Sequence, residues 1–274
     1  MLLVVRVAVL ADIHGNLAAL DAALEAVDNL HPDRLIVAGD VVDGAPDSEG
    51  CWQRVKGLGV PVLRGNHERY LFDFDTERAD PEWSVPRFGP LRASREEVGP
   101  ETVAELADLP TSWRDAGVPG LLVVHASLRS DADSVQPYTP DGDIGAMFPG
   151  DEVPELILRG HNHICMSRQW GGRRIVTVGS VGLALDGHPS AQFTVAELSG
   201  SSWQVRHHAV AYDVEATLRR FRETCYLDRA GPMGRLVIRE VATGSSHLIP
   251  FLRDWRRSED PSLERAVSTF LTQW

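Results

Sequence analysis

Residues 4–66 alternate apolar runs with helical spacings, and this alternation constrains the fold more than any other feature of the chain. "VVRVAVLAD" reads as a buried strand. In "NLAALDAALEAVDNL", Leu17, Leu20, Leu24 and Val27 recur at helical spacing. "DRLIVAGD" predicts a second strand, "SEGCWQRVKGLG" a helix closed by glycine, and "VPVLRGN" a third strand. Strand–helix–strand succession calls for a parallel sheet with helices packed against it.

The character changes at residues 73–100, where "DFDTERADPEWSVPRFGP" mixes acids, prolines and aromatics and reads as a loop-rich excursion. One helix is expected over "SREEVGPETVAELADL". Strands follow at "GLLVVHAS", "ELILRGH", "RRIVTVGS", "SAQFTVAEL" and "WQVRHHAVAY", so the second half holds a mixed or antiparallel sheet. The loop 128–152 is rich in Asp, Pro and Gly, and loops this long are often functional. From residue 212, "DVEATLRRFRETCYL" predicts one helix. A Pro/Gly break at 231–234 and a C-terminal helix in "SLERAVSTFLTQW" complete the chain. The expected organisation is a main domain over 1–208 and a C-terminal extension over 209–274 packed on it.

Charge and cysteine usage narrow the setting. A net charge of −12 with no dense basic run argues against non-specific nucleic-acid or acidic-membrane binding. The three cysteines, Cys51, Cys165 and Cys225, are far apart and form no CxxC, which suits free thiols in a reducing cytoplasm. "LLVVRVAVLA" lacks a basic leader, contains Arg6 and is too short to span a bilayer. No membrane association is expected.

The expected strands share a further property: each ends in a residue able to bind a metal. The first runs into Asp12 and His14, the second into Asp40, the third into Asn66 and His67. "LLVV" ends in His125, and "ELILRG" leads to His161 and His163. Residues two apart on an extended segment point the same way, so Asp12/His14 and His161/His163 can each supply a pair of ligands. In α/β sheets, ligands bind beyond the carboxyl ends of the strands. One such residue is usually a cap or a turn; five successive strand ends point to a metal site. Carboxylate, imidazole and amide oxygen suit Mn, Fe, Zn, Co or Ni, and no cysteine belongs to the set.

The order "DIHGN … GDVVDG … RGNHE … VVHAS … GHNH" resembles the calcineurin-like metallophosphoesterase superfamily, and in particular its small prokaryotic phosphodiesterase-type members. The resemblance covers about residues 1–225. It implies an α/β four-layer αββα sandwich: two packed mixed β-sheets flanked by helices. It implies two divalent or transition metal ions, manganese first among them, about 3–4 Å apart. Asp12, His14 and His163 would hold one; Asn66, His125 and His161 the other; Asp40 would bridge. The implied chemistry is in-line attack on phosphorus by a hydroxide shared between the cations. His67 would face the substrate beside Asn66, stabilising the transition state or protonating the leaving oxygen, and Asp43 would pair with His67 and favour its imidazolium. Glu68 reads as a first-turn helix acid.

One departure bears on substrate. Phosphoprotein phosphatases and dinucleoside tetraphosphatases of the superfamily carry an arginine after G-D-x-x-D, whereas here Gly44 stands in that place. Arg64 or Arg129 could supply the missing phosphate grip. Asn162 stands where threonine is common, with its side chain expected to point away from the metals. The expected activity is hydrolysis of small phosphodiesters or phosphomonoesters, diesters favoured. A dinucleoside polyphosphate hydrolase or phosphoprotein phosphatase on the same site is the alternative, and an inactive binding scaffold a remote one. The partner is a small phosphoester, with nucleic acid entering only as a small nucleotide substrate.

Overall fold

Side-chain alternation along the first strand builds three layers at once. β1 (Val4–Leu10) turns Val7 and Val9 to one face and Ala8 and Leu10 to the other, and all four are fully buried. A strand covered on both faces carries an unbroken apolar run. β2 (Arg34–Val37) lies parallel to β1, and the helix between them, α1 (Leu17–Asp28), packs Leu20, Leu24 and Val27 over Ala8 and Leu10. α2 (Ser48–Lys56) adds Trp52 and Val55 to that layer. The computed structural model describes residues 4–150, 153–255 and 262–273.

The chain continues through α3 (Asn66–Asp73), α4 (Gly89–Glu97) and α5 (Pro100–Ala107) into β3 (Ser112–Trp113), β4 (Leu121–Val124), α6 (Asp141–Met147) and β5 (Leu156–Arg159). β6 (Met166–Trp170), β7 (Arg173–Thr177), β8 (Ala191–Ser199) and β9 (Ser202–Val210) follow, then α7 (Val214–Glu223), α8 (Tyr226–Ala230), α9 (Pro232–Thr243), α10 (Leu248–Trp255) and α11 (Leu263–Thr272). The strands form two mixed sheets, ordered β2-β1-β8-β9 and β3-β4-β5-β7-β6. Val7, Val9, Ile36 and Leu63 meet Leu121, Val123, Leu156, Leu158 and Val176 in the layer between the sheets. The outer face of the second sheet, with Leu122, Ile157 and Ile175, is covered by Ile144 and Met147 of α6. The architecture is the expected helix–sheet–sheet–helix stack.

Several local expectations need correction. "VPVLRGN" is not a full strand: it makes one parallel bridge, Val37 to Val62, because Pro61 has no N–H to give and the chain turns at Gly65. The single helix expected over 94–109 is two, α4 and α5, broken where Gly99 precedes Pro100. α4 also begins inside the stretch read as loop. The helix expected from 213 stops at Thr224, and Cys225 takes a left-handed conformation (φ 50°) before α8. The loop 128–152 contains α6, although residues 151–152 lie outside the described set. β3 and β6 were not expected. The C-terminal helix ends at Thr272, and Trp274 lies outside the described residues.

The C-terminal helices sit against the rest of the chain through a buried cluster. Phe221, Tyr226, Val237 and Val241 join Ala93 of α4 and Ala45 of the loop after β2. Arg220 pairs with Asp47 at 2.7 Å, and Thr217 donates to Asn16 Oδ1, the N-cap of α1, at 2.8 Å. Among the described residues, no helix is long and apolar enough to cross a membrane. The inter-sheet layer is where a large-to-small change will register most strongly. Leu158, fully buried there, should cost about 2–5 kcal/mol when changed to alanine, measured as a fall in unfolding free energy in urea.

Candidate metal centre

The backbone delivers the site residues in an uncommon conformation. Eight described non-glycine residues have positive φ, and six of them are Asp12, His14, Asp40, Asp43, His161 and His163. Left-handed backbone costs an L-residue roughly 1–2 kcal/mol, and Asp, Asn and His tolerate it best. Cross-loop hydrogen bonds hold the strain in place. Asp12 N donates to Gly39 O, Ile13 N and His14 N to Asp40 O, and Gly15 N to Val41 O, at 2.7–3.0 Å. The two loops at the ends of β1 and β2 are thus laced together. Gly65 admits the third: a Cβ there would lie 2.1 Å from Asp40 Oδ1.

Two groups of ligand-capable atoms result. Asp12, His14, Asp40 and His163 form one, and Asp40, His125 and His161 the other, with atoms within 4.8 Å of one another in each. Asp40 belongs to both. Asn66 joins the second group, its Oδ1 lying 2.8 Å from His161 Nδ1 and 3.0 Å from His125 Nε2. All seven residues named from the sequence as metal ligands therefore come together, and all but His161 and His163 are buried.

The histidine tautomers follow from the second nitrogen of each ring. Nδ1–H of His14 donates to Asp43 O at 2.5 Å, that of His125 to Ala38 O at 2.8 Å, and that of His163 to Leu183 O at 2.8 Å. Each Nε2 is then the nitrogen turned inward, the usual way a backbone carbonyl orients a metal-binding imidazole. The Nε2 atoms of His14 and His163 lie 3.0 Å apart, acceptor against acceptor. A proton does not reconcile them. Burial and neighbouring imidazoles push His14 down to about 3, and burial takes His163 down to about 4 and His161 to about 3. A metal cation fits this donor set.

The charges agree. Burial opposes ionisation of Asp40, yet His125 and His67 hold it well below the usual carboxylate range. Burial would lower His125, but Asp40, 3.2 Å away, raises it to about 9. A positive charge, whether a proton or a metal ion, is what Nε2 between two oxygens favours.

His67 stands beside this centre with 29% of its side chain exposed. Its Nδ1–H donates to Asp43 Oδ2 at 2.7 Å, and Ser94 Oγ of α4 donates to Asp43 Oδ1 at 3.0 Å. Burial lowers the His67 imidazole, but the carboxylates of Asp40 and Asp43 outweigh it and raise it to about 9. Its Nε2 lies 4.0 Å from Asp40 Oδ2.

Other sequence-singled residues lie elsewhere. Arg64 and Arg129 line a separate recess of about 330 Å³ on the His125 side. Arg129 is paired there with Asp133 at 2.6 Å, and Arg64 lies over the Phe72 ring. Neither lines the cavity of about 510 Å³ bounded by His14, Asp40, His67 and His163. Asn162 turns to the 128–150 loop, donating to Ser134 Oγ at 2.7 Å and accepting from Val135 N at 3.2 Å. Trp83 packs against Tyr70 and Phe74, Phe148 is buried beside Trp170, and Tyr138 is exposed.

Two positioning residues escaped the sequence reading. Glu68 is a fully buried carboxylate rather than a solvated first-turn acid. It accepts from Gly65 N (2.7 Å), Asp40 N (2.8 Å) and Val41 N (2.7 Å), closing half of a capping box and pinning the β2 loop to α3. Its signal was the glutamate three residues after Gly65. Arg159, fully buried at the end of β5, donates to Ala126 O and Asp133 O, each at 2.7 Å, and to Asn162 Oδ1. An arginine interrupting "LILRGH" was its only mark. Glu68→Leu leaves the N–H groups of Gly65, Asp40 and Val41, and that of Val42 at 3.4 Å, without their acceptor. It should lower unfolding free energy by about 2–4 kcal/mol in urea titrations, with Glu68→Gln in between; a loss under about 0.5 kcal/mol would show that water or other acceptors replace the carboxylate.

A stretch of 66 residues, 24% of this chain, is 36% identical to serine/threonine-protein phosphatase 1 of Salmonella typhimurium and spans 31% of that protein. The crystal structure of a metallophosphoesterase from Sphaerobacter thermophilus superposes with a TM-score of 0.70 at 22% identity, over 88% of this chain and 100% of that one. A hypothetical protein of Pyrococcus horikoshii gives 0.71 at 23% identity, over 89% and 100%. These two likenesses speak for the fold. The sequence profile of the calcineurin-like phosphoesterases matches residues 5–165, a span that takes in every residue of the centre from Asp12 to His163. With more than half of the chain matched, this protein belongs to the calcineurin-like phosphoesterase family.

Proposed function

We propose that the protein hydrolyses small phosphoesters with two divalent or transition metal ions, manganese foremost. The family implies a phosphoester hydrolase, and one observation carries the two-ion reading: Asp40 is common to both ligand groups. Asp12, His14 and His163 would hold one ion, Asn66, His125 and His161 the other, with Asp40 between. Bound there, the ions would lower the pKa of a shared water and neutralise charge on the phosphoryl oxygens. The remaining work falls to this chain. His67, charged and oriented by Asp43, would give its Nε2 proton to the leaving oxygen. Residues 1–208 then form the catalytic domain and 209–274 an extension packed on it. Three free cysteines suit a cytoplasmic setting.

Phosphodiesters are favoured over monoesters. Gly44 has φ 142°, and a Cβ there would lie 2.9 Å from His14 Cβ, so an arginine could not occupy that position without moving His14. With Arg129 committed to Asp133, no side chain of the cavity is placed to grip a terminal phosphate bidentately. The named Salmonella phosphatase supports the alternative, a phosphoprotein substrate, and a dinucleoside polyphosphate is a second alternative.

The test is hydrolysis of bis-p-nitrophenyl phosphate, p-nitrophenyl phosphate, diadenosine tetraphosphate and a phosphoserine peptide, with Mn²⁺ and after EDTA. Activity should be abolished by EDTA, return with Mn²⁺, and be greatest on the diester. His67→Ala should lower kcat by about 10²–10⁴-fold with metal content unchanged by elemental analysis, whereas Asp40→Ala should lose metal. Full metal occupancy with no turnover of any of the four would instead mark a binding scaffold.

A further inference from the structure

The cavity at the metal centre has a chemically mixed lining. His14, Asp40, His67 and His163 share it with polar side chains such as Gln136 and Glu240 and with the apolar Ile164, Leu183, Leu185, Val237, Leu248 and Ile249, three of these last supplied by α9 and α10. Leu183, Val237 and Leu248 share one packed cluster, so this wall is built into the fold. Its inner end is fixed by Glu240, whose Oε1 accepts from His247 N and Leu248 N, each at 2.8 Å, at the start of α10. Within the lining, Ile164, in the loop before β6, is 48% exposed and Ile249 of α10 is 67% exposed. Large apolar side chains left open in the lining of a cavity that already holds polar chemistry mark a ligand subsite.

We infer that this wall is a subsite for the organic group of the substrate, and that the protein takes phosphoesters of apolar alcohols, aryl or alkyl, in preference to sugar or other polyhydroxy esters. The inference rests on the phosphoesterase reading and extends it. A phosphoryl group beside Asp40 and His67 places the ester's carbon substituent in the same cavity of about 510 Å³, to whose lining the C-terminal helices contribute. Burying a methylene against such a wall strengthens binding about fourfold.

The test is calorimetric titration of the full-length, Mn²⁺-loaded chain with inorganic phosphate and with methyl-, butyl- and hexylphosphonate, which are not hydrolysed. Hexylphosphonate should bind at least about tenfold tighter than methylphosphonate. Ile249→Ser and Ile164→Ser, both at exposed positions, should each cut that ratio by about threefold or more, while Leu227→Ser, an exposed residue outside the cavity, should keep it. A ratio near one, with phosphate still bound, would overturn the subsite and leave the phosphoesterase reading intact. A steep ratio that neither cavity variant alters would place the apolar contact elsewhere and likewise overturn it. Failure of the folded, metal-loaded chain to bind phosphate or methylphosphonate would remove the reading beneath it, and the subsite with it.

Discussion

The Asp40 carboxylate is the point through which the separate parts of the centre are joined. Its backbone carbonyl accepts from Ile13 and His14 of the β1 loop, and its N–H is held by Glu68 of α3. Its Oδ1 accepts from His67 N, and its Oδ2 lies 3.2 Å from His125 at the end of β4. Three segments scattered across the sequence therefore have one common partner. A buried carboxylate with that many donors is stable only if all of them are in place, since each missing one leaves charge without compensation. This couples the assembly of the two sheets to the assembly of the site.

The strain and the electrostatics around Asp40 favour the same outcome. Six left-handed residues are costly one by one, and together they would unfold an isolated loop cluster. The sheets supply the rigid ends, and the laced backbone hydrogen bonds supply the rest. The imidazoles then have no freedom to turn away: carbonyl oxygens of Ala38, Asp43 and Leu183 fix the ring of His125, His14 and His163 in turn. The Nε2 lone pairs of His14 and His163 are aimed at one another before any cation arrives, so little reorganisation of those rings accompanies binding.

Much of this was legible in the sequence because its signals are local. Apolar runs ending in Asp, His or Asn mark strand ends, and period-two spacing brings Asp12/His14 and His161/His163 to one side. Alternation of strand and helix gave the layers. What was hidden depends on tertiary partners. Glu68 looks like any first-turn glutamate until the β2 loop is seen lying across it. Arg159 reads as an interrupted strand, because its acceptors come from residues 26 and 33 positions away. Helix ends at Val98 and Cys225 were missed where an expected helix ran across a breaker, Gly99–Pro100 in one case and a left-handed cysteine in the other. The site side of the C-terminal helices was equally invisible: Val237 and Ile249 are ordinary helix residues until the fold brings them into the cavity that His163 also lines.

That placement changes how Gly44 is to be understood. Read as a motif, it is an arginine lost. In the fold it is a residue without a side chain, packed on His14, in the lining of a cavity that also holds apolar side chains. An arginine there would displace His14 and enter a space lined by Leu183, Leu185 and Leu248, in which Asp43 is already engaged by His67 and Ser94 and Glu240 by His247 N and Leu248 N. Gly44 and the helices that carry Val237, Leu248 and Ile249 thus line one cavity, and a side chain at position 44 would take up space that those helices bound.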